Sequence, residues 1–314
     1  MLLYLTFAFG LALLLFGGDW LVKAAVALAE RFGVSPLIIG LTIVALGTSA
    51  PELVISVKAA LAGSGALAVG NVVGSNIANV LLVLGVPAIF ARIYCANDAI
   101  HGTLFFLFGV TLIFMIQLYL HPISRFDGFL LLLCLAIFLG QQFINARRDL
   151  SKENDYHDEL GAIPSSMSKT VLYLVVGLIA LPVGATLTVD SAVELARIWA
   201  VPEEVIGLTI VAIGTSLPEL ATGVMAARHN NASVALGNVV GSNLFNIAAI
   251  MGATVFIAGD VDVGDHIIIF DMWVMLAATL LLIALPVFKL SIGRSAGLIM
   301  TGTYVTYLVA TALI

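Results

Sequence analysis

One segment of fourteen residues occurs twice in this chain, and each copy carries a carboxylate inside apolar sequence. The copies read GLTIVALGTSAPEL at residues 40–53 and GLTIVAIGTSLPEL at residues 207–220. They are identical at 12 of 14 positions. An ionisable side chain within a membrane-spanning segment is costly and rare, so Glu52 and Glu219 indicate a functional site.

The composition excludes an ordinary soluble domain. Of 314 residues, 61% are hydrophobic and 10% are charged, whereas about a quarter of the residues of a soluble domain are charged. Because roughly 20 apolar residues cross a bilayer as a helix, the sequence predicts an all-α integral membrane protein with ten transmembrane helices. These lie at 3–29, 36–61, 67–91, 101–120, 128–145, 170–198, 204–227, 233–258, 267–288 and 296–313. The first is kept as a helix because no basic residue precedes it and no clear cleavage site follows.

The distribution of lysine and arginine predicts the orientation. The longest loop, 146–169, carries Arg147, Arg148, Lys152 and Lys169, and basic loops face the cytoplasm. Counting spans outward adds five basic residues on that side, namely Arg31, Arg92, Arg228, Lys289 and Arg294. It leaves three outside, Lys58, Arg125 and Arg197. We therefore expect a multi-pass protein of the cell (cytoplasmic) membrane with both termini outside.

A second repeated segment indicates that half of the chain is duplicated. It reads GNVVGSNIAN at residues 70–79 and GNVVGSNLFN at residues 237–246, again offset by 167 residues. The predicted units are 1–147 and 168–314, joined by a cytoplasmic linker at 148–167. Each unit has five predicted helices, an odd number, so the second enters the membrane in the opposite orientation. Two inverted five-helix repeats are typical of transporters that bind substrate near the bilayer midplane.

The proline of each GTSxPE segment frees backbone oxygen atoms. Pro51 and Pro218 lack an N–H, and each ring clashes with the carbonyl four residues back. At membrane depth, a freed carbonyl needs protein, water or a cation as its partner. The same segments supply hydroxyl and carboxylate oxygens from Thr48, Ser49, Glu52, Thr215, Ser216 and Glu219.

The GNxxGSNxxN segments add amide and hydroxyl oxygens. Residues four apart share one helix face, and these are Asn71, Ser75 and Asn79 in one copy and Asn238, Ser242 and Asn246 in the other. The glycine pairs Gly70 with Gly74 and Gly237 with Gly241 are typical of close helix packing. Calcium prefers six to eight oxygen ligands of mixed type. Histidine and cysteine are missing from all four segments, which argues against zinc or copper.

Other charged residues have simpler interpretations. Asp19, Asp190, Glu194 and Asp271 lie in or near predicted helices, and we expect them at interfaces or along an access route rather than as direct ligands. The mixed-charge run in the linker lacks the ligand spacing and glycine of a calcium loop, and is expected to be solvated. The two cysteines have neither metal-ligand nor disulfide spacing and are expected to pack.

Together, the doubled GTSxPE and GNxxGSN segments closely resemble the two alpha-repeats of the calcium/cation antiporter superfamily, specifically the membrane domain of prokaryotic sodium/calcium exchangers. The resemblance covers essentially the whole chain. It implies a core made by the second, third, seventh and eighth helices, and long tilted first and sixth helices that slide during exchange. It implies ion ligands at Thr48, Ser49, Glu52, Ser75, Asn79, Thr215, Ser216, Glu219, Ser242 and Asn246, with the carbonyls of Ala45 and Ala212.

One position departs from that family pattern. Several characterised exchangers have an aspartate where this chain has Asn246, so the repeat-related positions Asn79 and Asn246 are both amides. Only Glu52 and Glu219 then carry charge, and one Ca²⁺ or two Na⁺ balance them. A third Na⁺ would leave excess positive charge in a low-dielectric site. The resemblance implies Ca²⁺ and Na⁺ as transported substrates, while the stoichiometry and the coupling ion stay open.

The leading hypothesis is secondary active antiport of a monovalent cation, Na⁺ before others, for Ca²⁺ by alternating access at a midplane site. A proton- or potassium-coupled antiporter is the alternative, since a carboxyl group in a dry site can carry a proton. A passive channel would need a ring of like groups around a pore. An enzyme is not expected, because the sequence has neither a midspan histidine beside a serine nor a GxSxG elbow. We expect no resident cofactor, no nucleic-acid partner, and a chain that works as a monomer in the bilayer.

Overall fold

The chain is almost entirely helical. The computed structural model describes residues 2–95, 98–120, 122–149, 164, 166–201, 206, 210 and 212–313. The helices are α1 (Leu2–Phe32), α2 (Pro36–Thr48), α3 (Ala50–Leu61), α4 (Gly65–Phe90), α5 (His101–Tyr119), α6 (Arg125–Asp149), α7 (Met167–Ile198), α8 (Leu217–Arg228), α9 (Ala232–Ala258), α10 (Ile267–Val287) and α11 (Arg294–Leu313). A helical turn, Ala212–Gly214, precedes α8. The short strands β1 (Ile93–Tyr94) and β2 (Ser291–Ile292) pair antiparallel.

The helices confirm a multi-pass all-α membrane protein. Within the described ranges, eight are long and apolar enough to cross a bilayer, and α2 with α3 forms a ninth span bent by 45°. The seventh predicted helix, 204–227, falls partly on residues outside those ranges. The linker acids at 150–163 fall there too. The count of ten therefore stays a prediction.

The break between α2 and α3 lies where the proline predicts it. Helix α2 begins after Ser35, whose hydroxyl accepts a hydrogen bond from the N–H of Leu37, and it ends at Thr48. Helix α3 resumes with Pro51 in its first turn, where the missing N–H has no helical partner to lose. Helix α8 begins in the same way, with Pro218 in its first turn. Each GTSxPE segment thus ends one helical stretch and starts another.

The two longest helices, α1 and α7, pack against each other in opposite directions. A Cβ at Gly10 would lie 2.6 Å from the hydroxyl of Thr188, and one at Gly17 would lie 3.0 Å from the Cβ of Ala180. Partner numbers on α7 fall as those on α1 rise, so the helices are antiparallel. Small residues bring the two backbones close.

Helices α2 and α9 also meet through glycine. A Cβ at Gly241 would lie 2.5 Å from the carbonyl oxygen of Leu41, and one at Gly237 would lie 2.7 Å from that of Leu37. Close packing at these two positions is confirmed. For Gly70 and Gly74 the repeat-equivalent partners would be residues 204 and 208, which the structure does not describe.

Four segments of the helices listed above are wound as π-helix. They are Gly40–Val44, Asn79–Val83, Phe245–Met251 and Ile267–Asp271. Such segments are rare and are frequent at functional sites. Two of them contain the predicted ligands Asn79 and Asn246. The wider turn therefore falls at the C-terminal end of each predicted ligand face.

Candidate cation-binding site

Two glutamates lie at the centre of the candidate site. Glu52 is in the first turn of α3 and Glu219 is in the first turn of α8, and their exposed fractions are 1% and 0%. A helix N-terminus favours negative charge because its N–H groups point toward it. The Ser49 hydroxyl, three residues before Glu52, hydrogen-bonds to Glu219. The break in each GTSxPE segment thus brings one buried carboxyl group from each half to a common place.

The hydroxyls before the glutamates reach across to the other half of the chain. The Ser49 hydroxyl donates to Oε1 of Glu219 at 3.1 Å. The Thr48 hydroxyl lies 3.3 Å from Oδ1 of Asn238, to which it donates, and 3.4 Å from the carbonyl oxygen of Ala45. Predicted ligands that are about 170 residues apart in sequence are therefore neighbours.

Seven of the predicted ligands have a buried side-chain oxygen without a hydrogen-bond partner among the described residues. These are Oε2 of Glu52, Oγ of Ser75, Oδ1 of Asn79, Oγ of Ser216, Oε2 of Glu219, Oγ of Ser242 and Oδ1 of Asn246. Buried polar groups are nearly always paired, so seven unpaired oxygens in one predicted ligand set call for an explanation. Carboxylate, hydroxyl and amide oxygens are the ligand types that Ca²⁺ and other hard cations take. The donor set fits a cation.

The two predicted carbonyl ligands differ between the halves. The carbonyl of Ala45 accepts the N–H of Ser49 at 3.1 Å. In the second half the N–H of Ser216 donates instead to the carbonyl of Ile213, three residues back, at 3.1 Å. The carbonyl of Ala212, at the start of the turn Ala212–Gly214, does not receive that N–H.

Thr215 occupies a different environment from its counterpart Thr48. Thr48 is fully buried, whereas Thr215 is partly exposed and lines a cleft of about 170 Å³. The walls of this cleft are Pro51, Ile55, Pro182, Ala185, Thr186, Val189, Asp190, Gly214, Thr215 and Pro218. The cleft therefore runs between α7 and the start of α3 and reaches one predicted ligand.

Three further asparagines surround the ligands, and sequence reasoning gave two of them no role. The Asn71 amide donates to the Ser56 hydroxyl at 2.9 Å and to the carbonyl of Glu52 at 3.3 Å, so it supports the first turn of α3. Asn76 and Asn243 directly follow the predicted serine ligands of the two halves. The Asn243 amide donates to the backbone carbonyl of Asn76, and the Asn246 amide donates to the Asn76 side chain. The sequence signal for them was the asparagine that ends the Gly-Ser-Asn triplet in both copies of the repeat.

Three of the four other carboxylates considered in the sequence have a partner in the structure. Asp19 lies 2.8 Å from Nζ of Lys23 and 2.6 Å from Nε2 of His229. Asp271 lies 2.8 Å from Nδ1 of His266 and accepts a hydrogen bond from the Tyr307 hydroxyl at 2.9 Å. Glu194 pairs with Arg197 at the surface, and Asp190 lines the cleft. In the described part of the chain, none of these four carboxylates pairs with Glu52 or Glu219.

The fold and the site define a class: a multi-pass helical membrane protein with an oxygen-lined, carboxylate-centred site between two helix breaks. Comparison with known families specifies it further. The family described as "Sodium/calcium exchanger protein" matches residues 2–144 and 169–313. The chain belongs to the sodium/calcium exchanger family.

Individual relatives agree with this assignment along nearly the whole chain. The putative antiporter CaxA of Alkalimonas amylolytica is 39% identical over 308 residues, covering 95% of each chain. The inner membrane protein YrbG of Escherichia coli K12 is 36% identical over 306 residues, covering 95% of this chain and 93% of the other. A solved structure of the sodium-calcium exchanger NCX_Mj matches with a TM-score of 0.83, 30% identity and 98% coverage of both chains.

Proposed function

We propose that this protein is a secondary active antiporter that exchanges Na⁺ for Ca²⁺ by alternating access at a site between the two glutamates. The ligands are the twelve residues named from the sequence: Ala45, Thr48, Ser49, Glu52, Ser75, Asn79, Ala212, Thr215, Ser216, Glu219, Ser242 and Asn246. Ca²⁺ and Na⁺ are cargo here, and the chain needs no resident cofactor.

One observation carries the proposal. Seven predicted ligands from both halves, Glu52 and Glu219 among them, each have a buried side-chain oxygen without a partner among the described residues. Leaving a buried polar group unpaired costs about 1–3 kcal/mol, so seven unpaired oxygens in the predicted ligand set favour a cation that supplies the missing interactions. One Ca²⁺ or two Na⁺ would neutralise Glu52 and Glu219. This charge balance favours electroneutral exchange.

An asymmetry between the halves supports alternating access. On one side, Gly18 of α1 packs tightly on α8, where a Cβ would lie 3.0 Å from the carbonyl oxygen of Ala221. Its repeat counterpart, Ala185 of α7, lines the open cleft beside Pro51 and Ile55. One route to the site is therefore packed and the equivalent route is open. In the predicted orientation the open cleft faces outward.

The predicted topology belongs to the same proposal. Ten helices, two inverted units at 1–147 and 168–314, a cytoplasmic linker at 148–167 and termini outside are supported by the antiparallel packing of α1 on α7 and by the basic residues of the linker. The membrane is the cytoplasmic membrane of a prokaryote, and we expect a monomer there.

The test is ⁴⁵Ca²⁺ uptake into proteoliposomes of the purified protein under separately imposed Na⁺, K⁺ and proton gradients. We expect uptake that requires Na⁺ inside and that stops when the Na⁺ gradient is collapsed. Uptake that is driven by a pH or K⁺ gradient and does not depend on Na⁺ would show that the coupling ion is H⁺ or K⁺ instead of Na⁺. Uptake that runs equally well without any gradient would indicate a passive pathway and reject antiport.

A further inference from the structure

Asn76 and Asn243 occupy repeat-equivalent positions, offset by the same 167 residues, yet they make different contacts. Both are 1% exposed. The amide nitrogen of Asn246 lies 3.5 Å from Oδ1 of Asn76, to which it donates. The corresponding contact from Asn79 to Asn243 is missing among the described residues, because Oδ1 of Asn243 has no partner. Asn76 thus touches a predicted ligand side chain and Asn243 does not.

The orientation of the Asn76 amide is set by its other neighbour. Its nitrogen donates to the sulfur of Met275 on α10 at 3.8 Å. A thioether accepts hydrogen bonds weakly and cannot donate them, so it favours the NH₂ end of the amide over the oxygen end. The oxygen of Asn76 then points to Asn246. The backbone carbonyl of Asn76 also accepts a hydrogen bond from the Asn243 amide at 3.4 Å.

The orientation of the Asn246 amide is set in turn by Asn76. Because the oxygen of Asn76 can only accept, the NH₂ end of Asn246 turns toward it and the oxygen of Asn246 turns away. That oxygen is one of the seven buried oxygens without a partner. An amide turned the other way would present partly positive N–H groups to a cation. The two ends of an amide are nearly equal in size, so packing alone does not select between them.

We infer that Asn76 is a positioning residue that holds the Asn246 amide with its oxygen facing the transported cation. This inference rests on the proposed function, since it assumes a cation between Glu52 and Glu219. The contacts from Met275 to Asn76 and from Asn76 to Asn246 fix the orientation of the Asn246 amide, so that its oxygen faces the cation. A carboxylate at this position would not need to be oriented, because both of its terminal atoms are oxygens.

The test compares the apparent KM for Ca²⁺ in Na⁺-driven uptake. Asn76→Leu removes the acceptor while filling similar space, and we expect KM to rise about tenfold, equivalent to one lost hydrogen-bond interaction of about 1.4 kcal/mol, with Vmax within about twofold. Gln142→Leu is the control, because it removes a buried amide of α6 whose hydrogen bond goes to the Thr103 hydroxyl on α5 rather than to Asn76 or a predicted ligand. We expect its KM to stay within about twofold of the parent.

A second background separates orientation from packing. In Asn246→Asp both terminal atoms are oxygens, so either rotation presents an oxygen to the cation. Adding Asn76→Leu there should raise KM by no more than about twofold. An equal penalty in both backgrounds, or no rise of KM in the Asn76→Leu variant alone, overturns the inference. If Asn76→Leu does not fold, Asn76→Ser replaces it, since the shorter side chain also loses the contact with Asn246.

Failure of the inference is distinguishable from failure of the proposed function. If the parent protein transports Ca²⁺ and the Asn76 variants keep its KM in both backgrounds, only the positioning role is wrong. If the parent shows no Na⁺-dependent Ca²⁺ flux, the proposed function itself is wrong, and this result does not depend on any variant.

Discussion

The hydroxyl of Ser49 donates a 3.1 Å hydrogen bond to Glu219, so a residue of the first helix break directly contacts the carboxyl group of the second. Both residues are buried. The contact joins the two halves at the point where their charges meet. Each half therefore completes the site of the other, and neither half is expected to bind cations alone.

Replacing either glutamate by glutamine should abolish exchange. Glu52→Gln and Glu219→Gln each remove one of the two charges that balance Ca²⁺, and we expect Ca²⁺ uptake to fall at least ~100-fold, about 2.7 kcal/mol. Glu194→Gln is the control, because this carboxylate is exposed and paired with Arg197. Uptake rates in Na⁺-loaded proteoliposomes measure the effect. Normal uptake by either site variant would contradict the charge balance.

Ser49→Ala should weaken Ca²⁺ binding without abolishing transport. It removes the donor to Glu219, and one hydrogen bond to a charged group is worth about 1.5–3 kcal/mol. We expect the apparent KM for Ca²⁺ to rise roughly tenfold or more. Thr111→Val is the control, since the buried hydroxyl of Thr111 donates to the carbonyl of Leu107 within α5, away from the site. A KM equal in both variants would show that the Ser49 contact is not part of the site.

Asn246→Asp should change the charge carried per cycle. The parent site holds two carboxylates, so we expect a Hill coefficient of about 2 for Na⁺. We also expect the Ca²⁺ flux of the parent protein to be independent of the membrane potential. A third carboxylate accommodates a third Na⁺, which makes exchange electrogenic. Uptake at imposed K⁺ diffusion potentials distinguishes the two cases. Potential-dependent flux in the parent protein would refute the two-sodium balance.

Gly241→Ala should destabilise the protein by overpacking. The added Cβ would lie 2.5 Å from the backbone oxygen of Leu41, which cannot move aside as a flexible side chain can. We expect a loss of about 1–3 kcal/mol in the free energy of unfolding and a lower Tm in detergent. Gly140→Ala is the control, because no described atom lies within 4 Å of its Cβ. It should raise stability slightly through helix propensity.

Cys95 should resist thiol reagents in the folded protein. It lies between β1 and α5, outside the membrane spans, and is fully buried. Burial raises the pKa of its thiol to about 11, so below pH 9 almost no thiolate is present. We expect slow maleimide labelling at pH 7 to 9 that becomes fast on unfolding. Rapid labelling of Cys95 in the native protein, read in a Cys134→Ser background because Cys134 is partly exposed, would show that the loop opens.

Local sequence rules predicted the parts of the site that depend on local geometry. Pro51 predicted the break after Thr48, and the spacing of four predicted that Ser75 and Asn79 share a face. The contacts between halves were not predictable in the same way, because they depend on which helices become neighbours. Asn246 finds Asn76 only after folding.

Partners of the remaining charged residues were hidden for the same reason. Asp19 lies next to His229, 210 residues away in sequence. Sequence spacing could assign Asp19 to a membrane helix but could not identify the loop residue that reaches it. The repeat itself carried more information, since its constant offset predicted which residues would be counterparts.

The backbone-to-backbone seam between α1 and α7 has a mechanical consequence. A Cβ added at Gly177 or Gly184 of α7 would lie 2.9 Å from the carbonyl oxygen of Gly17 or Gly10, respectively. Because the backbones of α1 and α7 are in such close contact there, we expect the two helices to move together. A displacement of this helix pair that opens the proposed site at one membrane face would close it at the other face in the same movement. The rigid glycine contact between α1 and α7 would then prevent ion leak, because it couples the opening of one face to the closing of the other and two independent gates are not needed.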